Sequence, residues 1–91
     1  MERAIFDKDG RMVTLDWYEY VSKGGLVLGQ SQYYIAKKGR KYAIFDKDGN
    51  QISEWYDRIE EDGLVKGESD YYVVKKNDKW AIFHKDGKMV S

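Results

Sequence analysis

The chain has 91 residues, with 16 Lys plus Arg against 16 Asp plus Glu, so its formal net charge is zero. That balance leaves no electrostatic footprint for nucleic acid or an anionic membrane face. The absence of Cys excludes disulfides, thiolate zinc sites and cysteine nucleophiles. At 42% hydrophobic and 15% aromatic residues the chain is apolar enough to fold. Its first residues lack the apolar core of a secretory signal. No apolar stretch approaches the roughly 20 residues that span a bilayer. These features predict a cytoplasmic protein with no membrane partner.

In chain order, the first segment is residues 4–10, AIFDKDG, and it recurs. Residues 43–49 repeat it without change, and residues 81–87 read AIFHKDG, giving offsets of 39 and 38 residues. Asp at the first turn position can bond the turn backbone, and the closing Gly accepts a positive φ. Each copy therefore predicts a strand running into a type I turn with a bulge, a common hairpin closure.

Trp17-Tyr18-Glu19-Tyr20-Val21 comes next and returns as Trp55-Tyr56-Asp57-Arg58-Ile59. Six residues separate Gly10 from Trp17 and five separate Gly49 from Trp55, so Leu15 or Asp16 is one residue extra. A single added residue would turn side chains to the opposite face, and a β-bulge there is expected to absorb it. Residues 50–59 should form a return strand, broken near Trp55.

The third block, GLVLGQSQYYIAKK at 25–38, returns as GLVKGESDYYVVKK at 63–76. Tyr33-Tyr34-Ile35-Ala36 and Tyr71-Tyr72-Val73-Val74 are aromatic and β-branched, as strands are. Residues 63–67 fit a short strand or a loop. No apolar stripe of helical period persists, and Gly recurs every 10–15 residues.

The expected fold is all-β and antiparallel: tandem β-meander repeats of about 38–39 residues, as small stacked sheets, barrel-like or propeller-like. Residues 1–91 would be one domain made of a partial, a full and a partial repeat. In Tyr42-Ala43-Ile44-Phe45 both alternation phases are apolar, so both faces of the strand need cover. The unpaired terminal strands would let copies join as a homo-oligomer.

The segment Lys75-Lys76-Asn77-Asp78-Lys79-Trp80-Ala81-Ile82-Phe83, followed by Lys85-Asp86-Gly87-Lys88, resembles the unit of the bacterial WG-repeat (KWG) proteins. Ile52-Ser53-Glu54-Trp55-Tyr56-Asp57-Arg58-Ile59 is similar to the segment that follows it there. The resemblance extends over nearly the whole chain. Ala4, Ala43 and Ala81 stand where that family has Gly, Ser53 stands for its Pro, and Arg3 and Tyr42 stand for its Trp. The resemblance implies a β-rich interaction module without catalytic residues.

Candidate chemistry is sparse. Asp7/Asp9 and Asp46/Asp48 have the acidic alternation of a calcium loop, but Gly follows too early, and turn formation accounts for every residue of DKDG. No metal is expected. His84 is the only histidine, has no nucleophile at suggestive spacing, and falls at a hairpin position. Lys37-Lys38-Gly39-Arg40-Lys41 behind Tyr33-Tyr34 has the aromatic-plus-cation pattern of single-strand binders. The zero net charge and the acidic Glu60-Glu61-Asp62 weigh against nucleic acid. No phosphate loop or dinucleotide fingerprint occurs, so neither enzyme nor cofactor is expected. A non-catalytic interaction or assembly module remains, with a protein partner or a second copy. The alternative is a glycan- or small-ligand-binding module using Trp17, Trp55, Trp80, Tyr34 and Tyr72.

Overall fold

A computed structural model describes residues 1–91. Every regular element is a strand: β1 (Tyr20–Val21), β2 (Tyr33–Lys38), β3 (Lys41–Asp46), β4 (Arg58–Ile59), β5 (Tyr71–Lys76) and β6 (Lys79–His84). They form two antiparallel three-stranded sheets, ordered β1-β2-β3 and β4-β5-β6.

The long hairpins form where aromatic and β-branched residues alternate around a tight turn. Tyr34 opposes Phe45 and Ile35 opposes Ile44 in one sheet; Tyr72 opposes Phe83 and Val73 opposes Ile82 in the other. The β5–β6 turn places Asn77 at φ 53° and Asp78 at φ 66°, a conformation that Asn and Asp tolerate. The DKDG turns close as their composition requires. The Asp46 carbonyl accepts from Gly49 N–H at 3.0 Å, and Asp46 Oδ1 accepts from the amides of Asp48 and Asn50 at 2.9 Å each.

The return segments depart from a continuous strand. Gln51 bridges back to Phe45 and Tyr56 to Tyr42, after which Arg58 and Ile59 pair with Lys75 and Val74 of the next sheet. The break between them carries the chain from one sheet to its neighbour. Tyr18 and β1 do the same earlier, with Tyr18 on Arg3 and Tyr20 on Lys37. The expected bulge at Leu15 and Asp16 is a bend, and residues 62–67 are turn, not strand.

Neither barrel nor propeller forms. Each sheet stays open, because its short strand is paired for only two residues and the chain then moves on in one direction. The result is elongated, 40 × 26 × 18 Å.

Two cores alternate along the long axis. Tyr34, Ala36, Ala43 and Phe45 on one face of the first sheet join Ile5, Tyr18 and Val21. Ile35 and Ile44 on its other face join Tyr56, Ile59, Leu64, Val65, Tyr72 and Val74. The first sheet is thus covered on both faces. The second sheet spends Tyr72 and Val74 on this shared core, which leaves Tyr71, Val73, Trp80 and Ile82 facing outward by strand alternation.

The position within this order decides what a side chain contributes. Ile44 is 0% exposed and Ile82, in the same AIF triplet, 37%. Ile44→Ala should cost about 2–5 kcal/mol through lost transfer and a cavity, and Ile82→Ala under about 1 kcal/mol. Equilibrium urea unfolding of the two variants measures this difference.

Candidate functional site

The outward face of the second sheet is the one strand-built face that joins neither core. Tyr71, Val73 and Lys75 from β5 lie beside Trp80, Ile82 and His84 from β6, because these positions alternate to one side. The Trp80 ring is 52% exposed, with Lys75 Nζ 5.7 Å from its centroid. Tyr71 meets the His84 ring edge-on at 5.2 Å and 73°. The His84 Nδ1 accepts the Asp86 amide at 3.2 Å, fixing the imidazole into its own turn. The Asp86 carboxyl is held below its usual range, chiefly by the hydrogen bond it accepts from the Lys88 amide.

A main-chain edge completes the surface. On β3, Tyr42 exchanges two hydrogen bonds of 2.8 Å with Tyr56. Trp80 occupies the matching place on β6, and its outward N–H and C=O have no main-chain partner. Beside it lies a cleft of about 410 Å³ lined by Glu54, Tyr56, Val74, Ala81 and Phe83.

The five aromatic candidates do not share one surface. Trp17 is exposed at the other end of the molecule, 6.1 Å from the Phe6 ring. Trp55 is half-buried, edge-on to Phe45 at 6.0 Å. Trp80 stands on the open face. Tyr34 and Tyr72 correct the expectation of ligand contact: both are buried, stacked at 5.6 Å on Phe45 and 5.8 Å on Phe83. Their aromatic character serves the core, where a phenol contributes much apolar area. The residues not anticipated are Tyr71, Val73 and Ile82. The composition of their strand matches that of the buried one, so only the count of covering layers separates them.

Other constellations are absorbed by structure. Asp46, from the calcium-like alternation, uses both carboxylate oxygens in its own turn, with Asn50 Nδ2 3.2 Å from Oδ2. Burial alone would raise its pKa, but hydrogen bonds from Asn50 and Asp48 outweigh it and lower it. No group of three or more His, Asp and Glu side chains is arranged to hold a metal ion. No helix is long and apolar enough to cross a membrane. No family model, curated protein or solved structure matches the chain.

Buried phenols give the fold an alkaline limit. Burial pushes the Tyr72 hydroxyl up to about 12 and the Tyr34 hydroxyl higher still, while Tyr18, Tyr20 and Tyr56 are raised less. A raised folded pKa stabilises the protein below the unfolded value near 10, and that stability is lost as pH rises through the folded values. The thermal midpoint should therefore hold at neutral pH and fall steeply above about pH 10. Tyr34→Phe should flatten that fall. Its hydroxyl has no hydrogen-bond partner, so at pH 7 the variant should stay within about 1 kcal/mol of the parent. Calorimetry across pH 7–12 would sink this account if both proteins fell alike.

Proposed function

We propose that the chain is a non-catalytic β-repeat module, a divergent relative of the WG-repeat proteins, whose role is to bind or assemble proteins. The observation that carries this is the open face at β6: one AIF strand is covered by an aromatic segment and the other presents Trp80, Ile82 and an unpaired edge. Added strands bind sheets through main-chain hydrogen bonds, with pockets for alternate side chains supplying specificity. The hydrogen bonds support the tandem reading. Val13, Ile52 and Val90 each donate to the isoleucine carbonyl of their AIF triplet, at 2.7, 2.9 and 2.7 Å. Leu26 and Leu64 donate to Tyr33 and Tyr71 at 2.9 and 2.8 Å. The composition supports a cytoplasmic setting, and the zero charge balance supports a protein over a nucleic-acid partner.

One observation favours a second reading. Trp80 is half-exposed at the rim of the 410 Å³ cleft, an arrangement that could stack a sugar ring.

The two readings separate in solution. A peptide copying residues 52–60, the segment that covers β3, should shift the amide resonances of Trp80 and Ala81 and the Trp80 indole. Silence up to about 1 mM peptide, a threshold near −4 kcal/mol, would sink the module reading. A sugar panel that quenches Trp80 fluorescence would favour the glycan reading instead.

A further inference from the structure

The joint between the two halves of the molecule is a template whose two sides both recur: the receiving side lies open at the second sheet, and the entering side is covered at Tyr18 but open at Val27. Within the joint, Val65 is 0% exposed against Ile35 and Ile44, and the Ser31 hydroxyl donates to its carbonyl at 2.6 Å. Gly67 lies on the Gln30 carbonyl so closely that no Cβ would fit. Tyr56 pairs with Tyr42. Asp57 binds Lys41 of the first hairpin while accepting the Asn77 amide of the second at 2.9 Å.

The receiving side recurs at the second sheet as Val73, Ile82, Ser69, Trp80 and Lys79. The entering side recurs earlier in the chain as Val27, Gly29, Tyr18 and Glu19. Val27, the counterpart of Val65, is 53% exposed, and nothing lies within 4 Å of a Cβ built on Gly29. The Ser69 hydroxyl donates locally to the Tyr71 carbonyl at 3.3 Å and accepts from the Tyr71 amide at 3.2 Å, with no bond across a joint.

What now occupies the entering side is the hairpin of residues 1–13, which covers it only in part. Arg3 exchanges hydrogen bonds of 2.6 and 2.9 Å with Tyr18, as Tyr42 does with Tyr56, but Val27 and Gly29 stay uncovered. The Ile5 amide stands 3.4 Å from Thr14 Oγ1, where the matching Ile44 amide reaches Ser53 Oγ at 2.9 Å. Ala4 and Phe6 lack the flanking strand that β2 gives Ala43 and Phe45, and a cleft of about 490 Å³ lies there between Ala4, Phe6, Val21 and Val27. Glu2 falls at the place of Lys41, opposite the place of Glu19, so like charges face where the joint has an ion pair.

We propose that copies of this chain join head to tail by hairpin exchange: the β5–β6 hairpin of one copy displaces residues 1–13 of the next and docks on its Tyr18, Glu19 and Val27. This rests on the reading of the chain as an interaction module and names its partner as a second copy. The exchange conserves the hydrogen bonds of Tyr18, which trades Arg3 for Trp80. It adds what the resident hairpin lacks. Val73 and Ile82 cover Val27 as Ile35 and Ile44 cover Val65, Ser69 meets the Val27 carbonyl, and Lys79 faces Glu19. Because the contact is heterologous, it propagates into open chains or rings and does not stop at a two-fold dimer. Because the resident hairpin is tethered and the incoming one is not, the exchange is driven by concentration.

Light scattering and sedimentation over a concentration series test this. The expected result is a weight-average mass that rises from 10.7 kDa in whole-chain increments. Val27→Glu, half-exposed in the monomer, should leave the fold intact and weaken association more than about tenfold by placing a charge in the joint. Lys79→Glu and Glu2→Lys should each weaken it about two- to fivefold, one by opposing the docked pair and one by closing the monomer. The triple variant E2K/E19K/K79E restores both relations and should regain the parent's association; all three positions are exposed, so folding is not at stake. A mass of 10.7 kDa at every concentration, or association indifferent to Val27→Glu and to the charge series, overturns the exchange. A monomer that still binds the 52–60 peptide at Trp80 defeats this inference and leaves the module reading standing, whereas loss of both defeats both.

Discussion

A three-stranded sheet whose strands are apolar on both faces cannot remain alone in water, and this constraint organises the molecule. The strand Tyr42-Ala43-Ile44-Phe45 sends Ala43 and Phe45 to one core and Ile44 to another. Fully burying an isoleucine contributes about 1.5–3 kcal/mol, so each uncovered face forfeits several such terms. The first sheet meets the requirement from both sides. It takes Ile5 and Tyr18 on one face and Val65, Tyr56 and Ile59 on the other, and its Ala36, Ala43 and Ile44 are fully buried. The second sheet meets it from one side only.

The joint that covers the first sheet is built chiefly from main chain. Tyr56 contributes a paired N–H and C=O, Val65 a carbonyl for Ser31, and Gly67 a bare backbone that lets Gln30 approach. Side-chain charge enters mainly at Asp57, which ties Lys41 to the Asn77 turn. Exposed ion pairs of this kind contribute little stability, so Asp57 acts more as an alignment key than as a fastener. A joint made this way tolerates substitution on its surface yet depends on spacing. That explains how the extra residue enters without disturbing it: Leu15 and Asp16 both fall in an exposed bend outside both cores, with Leu15 lying over Gly49.

Much of this was legible in the residues. The YY strands, the second and third AIF strands, their register around short turns and the Asp-capped DKDG hairpins follow from local chemistry and form where it places them. The first AIF triplet, with no YY strand beside it, makes only isolated bridges. The return segment was legible only in part. Its break near Trp55 could be anticipated, but its purpose could not, because the transfer of Tyr56 to one sheet and Ile59 to the next is a relation between distant strands. Closure stayed open for the same reason: apolar faces on both sides are compatible with a barrel, a propeller or an open stack, and the structure has two open sheets. Among the site residues, Tyr34 and Tyr72 look as available for a ligand as Trp80 does. Their parity on the strand turns them inward, and the layer in front of them decides the rest.

Parity plus layer count also explains why identical residues have unequal roles. The isoleucines of three AIF triplets differ little in local sequence, yet Ile5 and Ile44 are buried and Ile82 is not. Natural proteins commonly blunt open strand edges with charge, and here Lys75, Lys79 and Lys85 ring the uncovered face. The same lysines leave Trp80, Ile82 and Tyr71 exposed at its centre. The rim is mixed in charge, since Lys75 pairs with Asp78 at 3.8 Å and Lys85 with Asp70 at 3.5 Å. Within the chain such an edge is met by Trp55-Tyr56-Asp57, with Tyr56 on Tyr42 and Asp57 on Lys41, so an aromatic residue followed by a carboxylate is what closes the first sheet and what the second sheet lacks.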